Sequence, residues 1–379
     1  MTQVFLSTPS FGAPNGPRPA PGCNCAICDF WIDNPRAVEP ICSGTSSSCE
    51  YCSCARAEDP ARDAVRDGGA CRTCPIRCGS RPDVGDWIAA VGGTLKFTDL
   101  HVTQAARAGL PRFTPMGDGD DIAPLDDGLG WPAYAVGMRR VLSTATGKIM
   151  PKLRDKTAHE AFAIPDTAAA ILVGYGTDPL VEQYWSGRHR DGLMLSIAAQ
   201  SWDLVLTPNF SMYLNQPRTE HLINYRRNLL IAAELADLGV PTAPCLYWAR
   251  LEDLERYLDW VADTEPEQVA VNLQTFRDAE EWNELVVPGL AFLAGTLPAD
   301  MPIWLVGASR PDRIRTLGAL FGDRLHLVAQ NALQYARRGA VMTDHGRQDV
   351  HALTKDAFHA NVRYYAGLLD GHAPAGGTP

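Results

Sequence analysis

The sequence predicts an α/β protein: a parallel (β/α)-barrel-like domain preceded by a small Cys-rich metal-binding module. Three observations predict it. Short apolar runs alternate with helical patterns through residues 166–370, and strands buried on both faces with helical crossovers make a parallel sheet. Ten of the eleven cysteines crowd between Cys23 and Cys78. The first 85 residues are rich in Cys, Pro, Gly and Ser and poor in apolar periodicity. Such a stretch buries too little apolar surface to order itself, so a metal must supply part of its folding energy.

The elements follow in chain order. Residues 1–85 form the module, with a flexible Pro/Gly-rich lead. Residues 86–165 form a connecting region: a short helix at 86–91, a strand at 94–97 after Gly92-Gly93, and another strand at 134–142. Its stretch 109–131 carries Pro111, Pro115, Pro124, several Gly and several Asp, and reads as a long irregular loop, a lid or crossing connection. Within 166–370, apolar runs at 169–174, 204–207, 243–247, 269–273, 303–307 and 325–329 read as strands. With 94–97, and 340–343 as a further candidate, they make seven or eight. The clearest helix is 221–238, apolar at Leu222, Leu229, Leu230, Ala233 and Leu238 and stopped by Gly239; others are 251–262 and 312–320. An open doubly wound sheet is the alternative to the barrel. Residues 371–379 read as a disordered tail.

Composition narrows the function classes. The net charge is −10, whereas a surface built to grip nucleic acid is normally basic; nucleic acid is not the favoured partner. No run of about 18 apolar residues occurs, so no membrane span is expected. Residues 1–21 lack the basic and apolar regions of a signal peptide. The expectation is a cytoplasmic protein in a reducing compartment, where clustered cysteines bind metal rather than form disulfides.

The cysteines form three triads, Cys23-x-Cys25-x-x-Cys28, Cys49-x-x-Cys52-x-Cys54 and Cys71-x-x-Cys74-x-x-x-Cys78, with Cys42 between the first two. Thiolates two or three residues apart reach one ion without backbone strain, and they suit zinc or iron–sulfur clusters. No His precedes His101, so a site within the module is all-cysteine or borrows a ligand from elsewhere in the chain. It could be two zinc sites of four thiolates each with two thiols spare, a zinc cluster with bridging thiolates, or an iron–sulfur cluster. Zinc, two or three ions, is preferred. The third triad runs opposite in spacing to the cysteine motif of radical adenosylmethionine enzymes, in which the three-residue gap comes first. Cys245 stands apart and reads as a buried apolar residue.

Ligands of parallel α/β folds bind at strand carboxyl ends. Following the apolar runs come Tyr175, Asp178 and Glu182; then Asn209, Ser211 and Tyr213; then Trp248; then Asn272 and Gln274; then Ser309; and finally Asn331. Amides and hydroxyls dominate, as recognition of a nucleobase, nucleotide or sugar requires, and the aromatic members can stack on a base. Asp178, with Glu182 a turn later, is the acid/base candidate; the competing reading makes Asp178-Pro179 a helix N-cap with Pro at N1. Glu220, Asn224 and Arg227 share a helix face at i, i+4, i+7. That spacing suits a solvated ladder or an Arg directed at an anion, which would add Asn224 and Arg227 to the substrate-binding set. Arg337, Arg338, His345 and Arg347 read as a surface basic patch.

The stretch from Asp178 to Trp248 resembles a domain-of-unknown-function family of phages and mobile elements, with the likeness extending over about residues 170–310. The residues that carry it are Asp178, Glu182 and Trp185; Pro208-Asn209-Phe210-Ser211-x-Tyr213; Pro217; Asn224-Tyr225-Arg226; and Gly239, Pro244 and Trp248. The chain departs from that pattern at Asn209, where the family carries Asp, and at Thr177-Asp178, where it carries an acidic pair. The resemblance implies fold and a phage or mobile-element context, and no known activity.

The functional expectation is a metal-containing enzyme acting on a nucleotide, nucleobase or nucleic-acid-derived polar substrate, of which a barrel transglycosylase or glycosidase is one concrete form. The alternative is a non-catalytic metal-stabilised binding protein of a phage or mobile element.

Overall fold

The fully apolar runs pair as parallel strands. The computed structural model of the protein describes residues 33–37, 77, 84–104, 106, 108–117, 119–212, 218–249 and 251–370. The cysteine triads, Cys42, Tyr213 and the tail 371–379 lie outside the described residues, and with them the expected module. The chain divides into two units. The first holds Met1–Leu100, Phe210–Leu230 and Tyr247–Trp260; the second holds His101–Asn209, Ile231–Leu246 and Val261–Pro379.

The second unit is built on nine strands: β1 (Phe113–Gly117), β2 (Ala133–Gly137), β3 (Ala169–Val173), β4 (Leu204–Leu206), β5 (Thr242–Ala243), β6 (Cys245–Leu246), β7 (Val269–Asn272), β8 (Ile303–Val306) and β9 (Leu325–Ala329). They lie in the order β5-β4-β3-β2-β1-β9-β8-β7-β6, and every neighbouring pair is parallel. The outermost strands, β5 and β6, are separated by Pro244 alone. Proline has no N–H for a ladder, so the strand is interrupted there, yet the Pro244 carbonyl still accepts from the Ala270 N–H at 2.9 Å. One stretch of chain thus bonds β4 on one side and β7 on the other, and the sheet curls into a nearly closed barrel. Strand residues such as Ile171, Leu204, Val269, Ile303 and Leu327 are fully buried, each contributing roughly 1.5–3 kcal/mol.

Connecting helices occupy the intervals, as the alternation requires: α1 (Ala158–Phe162), α2 (Asp178–Arg190), α3 (Leu193–Ala199), α4 (Arg218–Asp237), α5 (Leu251–Thr264), α6 (Val287–Thr296), α7 (Pro311–Phe321), α8 (Asn331–Ala336) and α9 (Thr354–Leu369). α1 opens with a capping box, Thr157 and Glu160 each accepting the other's backbone N–H.

Three expectations need correction. The stretch 109–131 is not one loop: it contains β1 and the short helix Ile122–Asp126. Pro115 and Gly117 hide that strand from a propensity reading. The register shows why Pro115 is tolerated: Phe113, Thr114 and Pro115 pair with β9, and pairing with β2 begins only at Met116, so no β2 partner stands opposite the nitrogen that lacks an N–H. The barrel therefore begins inside the region read as a connection. The second correction concerns 94–97, which is irregular. Two of its carbonyls are taken by arginines of the first unit: Arg226 donates to Lys96 O, and Arg256 to Leu95 O at 2.7 Å. The third concerns 340–343, which pairs antiparallel with Gly346–Asp349 as a separate hairpin. Asn361 of α9 holds it, accepting from Met342 N–H at 2.7 Å and donating to Ala340 O at 3.1 Å.

Candidate functional site

Residues at the strand carboxyl ends of the second unit are positioned by close backbone approach. After β3, a side chain at Gly174 would place its Cβ 2.5 Å from Leu206 O, so only glycine lets the chain leave β3 beside the end of β4. Tyr175 then turns inward, 6% exposed, with its hydroxyl against the Cys245 thiol. Burial pushes the Cys245 thiol up to about 12, against the pull of Tyr175 and the Asn272 N–H; Cys245 is the buried residue that the sequence suggests. Asp178 is exposed and opens α2, with Thr177 at the N-cap. The cap is thus one residue earlier than the Asp178 cap considered above. Glu182, a turn later, is half-buried. Asn209 follows β4, and its Oδ1 is buried without a donor among the described residues.

β7, β8 and β9 end on a cavity of about 300 Å³. Gln274, Ser309 and Asn331, all expected to bind substrate, line it together with Gln330 and Gln334. Asn272 sits one step back: its Oδ1 accepts the Gln274 N–H at 2.9 Å and bends the chain at the strand end. Gly307 makes the close packing possible. Its φ is +102°, and a Cβ there would stand 2.4 Å from Gln274 Cγ and 2.9 Å from the Gln274 backbone.

Sequence reasoning missed three arginines of this cavity: Arg277, Arg310 and Arg313. Arg313, 9% exposed, donates to the carbonyls of Phe276 (2.7 Å), Arg277 (3.3 Å) and Asp278 (3.2 Å) and lies 4.1 Å over the Trp282 ring. It thereby ties down the backbone of the loop after β7 that carries Arg277. Burial, then the neighbouring Arg310, push its own pKa down. The signal was available, because Arg310 and Arg313 closely follow Ser309.

A larger cavity, about 660 Å³, opens at the amino ends of β7, β8 and β9. Its floor is the Trp304–His326 stack, 4.4 Å between centroids, with Trp304 Nε1 donating to Gln268 Oε1 at 3.3 Å. Amino ends of parallel barrels serve stability and carboxyl ends serve chemistry, so the smaller cavity is the candidate site.

The other expected residues belong to the first unit. Trp248 is buried. Glu220, Asn224 and Arg227 are 4%, 1% and 0% exposed, so the solvated-ladder reading is overturned. They form a buried chain: Arg77 gives its backbone N–H and Nη1 to Glu220, both at 2.6 Å; Asn224 Nδ2 donates to Glu220 Oε1 at 3.1 Å and to Ser211 O at 3.2 Å; Arg227 Nη1 donates to Asn224 Oδ1 at 3.0 Å. Arg227 also lies 3.7 Å over the Phe210 ring. Beside this chain, Asp253 binds Arg218 and accepts from Tyr225 Oη at 2.8 Å and Ala249 N–H at 2.9 Å. Burial would push the Asp253 carboxyl up, but the Arg218 charge and these hydrogen bonds outweigh it and hold it below the ordinary carboxylate range. Of the C-terminal basic residues, Arg337 pairs with Asp120 at 2.7 Å and Arg347 with Asp349 at 2.6 Å.

Among the described residues no group of three or more His, Cys, Asp or Glu is arranged to hold a metal, and no helix is long and apolar enough to cross a membrane. Fold and cavity define a class: an α/β barrel-like protein with a polar, arginine-bearing cavity at the carboxyl ends of its strands. The chain matches no protein-family model and no curated protein.

Proposed function

We propose that the protein is a metal-containing barrel enzyme that binds a polar, nucleotide-like substrate at the strand carboxyl ends of its second unit. One observation carries the reading: the cavity after β7, β8 and β9, which gathers Gln274, Ser309 and Asn331 into one concave, hydrogen-bonding surface. Amides and hydroxyls of this kind match the mixed donors and acceptors of a nucleobase edge or a ribose. Asp178 serves as the acid/base candidate because it stands exposed at the carboxyl end of β3. The cysteine triads supply the metal, zinc or an iron–sulfur cluster, on the strength of their spacing alone. The likeness of 178–248 to a phage and mobile-element family gives the context in which such a substrate would be met.

Titration calorimetry with nucleosides and nucleotides tests the ligand class. Gln274→Ala, Ser309→Ala and Asn331→Ala should each weaken binding several-fold, by roughly 0.5–1.5 kcal/mol, with unchanged thermal midpoints because these side chains are half-buried at most. Asp178→Asn should abolish turnover and spare binding. Wild-type affinity in all three cavity variants would sink the assignment.

A further inference from the structure

We infer that the cavity holds a phosphate group, so that the substrate class is phosphorylated nucleosides rather than free bases or nucleosides; the inference rests on the reading above and narrows it. Charge is the first argument. Three arginines line the cavity, and no Asp or Glu does. Arg310 is neutralised by Asp312, at 3.1 and 2.9 Å. Arg313 has no such close partner: buried as a residue, it gives its hydrogen bonds to carbonyls, and among the described residues Asp312 and Asp278 act on it only from beyond ion-pair distance. An anion in the cavity would give this partly buried guanidinium the close counter-ion it lacks. The Arg277 guanidinium is exposed and likewise has no partner among the described residues.

The donors suit a dianion. Arg277 and Arg313 line the cavity from two different segments, together with Ser309, so charged and hydroxyl donors are both available to a tetrahedral anion. The eleven-residue helix α7 begins at Pro311, next to the lining residues Ser309 and Arg310. Its N-terminal peptide dipoles favour negative charge there. The place in the fold agrees with the chemistry: loops after the last strands of parallel barrels recurrently bind phosphate.

The test is titration calorimetry of the full chain at low salt with inorganic phosphate, the four common ribonucleosides and their 5′-monophosphates. Wild type is compared with Arg277→Ala and with Arg337→Ala, a surface arginine outside the cavity. The expected result is that a monophosphate binds about tenfold or more tighter than its nucleoside, the scale of one charge-assisted contact. Arg277→Ala should abolish that gain, and Arg337→Ala should keep it. Equal affinity for nucleoside and monophosphate overturns the phosphate site and leaves the ligand reading standing. If phosphate and all monophosphates bind equally through Arg277 and nucleosides do not bind, the phosphate site is upheld and base recognition sinks. Equal loss in both variants reduces the effect to bulk charge and overturns the inference. No binding by any probe overturns both.

Discussion

Asp253 illustrates how single residues of the first unit are coupled to pH. Its folded pKa is depressed relative to the unfolded value, about 3.9. The stability it contributes is therefore complete above that value and is lost as pH falls through it towards the folded pKa. Asp253→Asn leaves Arg218 buried opposite a neutral amide, and should cost roughly 3–5 kcal/mol at pH 7 while flattening the acid limb of the stability curve. Urea unfolding of both proteins between pH 7 and 3 measures this; an unchanged midpoint would remove Asp253 from the network. Cys245 makes the opposite case. Its thiol is fully buried and raised to about 12, and the thiolate is the reactive form. Site-resolved mass spectrometry after alkylation at pH 8 should find Cys245 unmodified until denaturant is added. Labelling of the native protein at Cys245 would show that the barrel interior opens.

At the scale of elements, Gly307 joins β8 to the loop that begins α7. Its positive φ and the 2.4 Å approach to Gln274 leave no room for a Cβ. Gly307→Ala should destabilise the protein by about 1–3 kcal/mol and weaken ligand binding, because Gln274 must move; a thermal melt together with a titration separates the two effects. Most strands were legible as elements: 169–174, 204–207, 269–273, 303–307 and 325–329 are within a residue of β3, β4, β7, β8 and β9. β1 was not, because Pro115 and Gly117 carry loop propensity and only its pairing with β9 and β2 makes it a strand. The apolar pattern of 94–97 misled for the converse reason: Arg226 and Arg256 occupy carbonyls that a sheet partner would have used.

For the whole molecule, the cysteine triads predict metal content. Protein purified without oxygen should be either colourless with two or three zinc ions, or brown with absorption near 400 nm, the rough signature of a thiolate-held iron–sulfur cluster. Cys-to-Ser changes in any ligand triad should lower that content, and a variant that keeps full occupancy takes its triad out of the ligand set. Glu220 bears on the same region, since it receives both the backbone and the guanidinium of Arg77, the residue before Cys78.

Sequence alone determined the alternation of strand and helix, the parallel sheet it implies, the clustering of the thiols, and the polar residues that follow each strand. All of these are local properties: burial on both faces and residue spacing are written along the chain. Tertiary structure decided the rest. It made β1 a strand, turned β5 and β6 into one interrupted seam around Pro244, and gathered Gln274, Ser309 and Asn331 with Arg277 and Arg313 around one cavity. It also buried Glu220, Asn224 and Arg227, whose i, i+4, i+7 spacing is the same for an exposed ladder and a buried chain. The difference lies in what packs over the helix face, and that information is held by residues as distant as Arg77, Ser211 and Phe210.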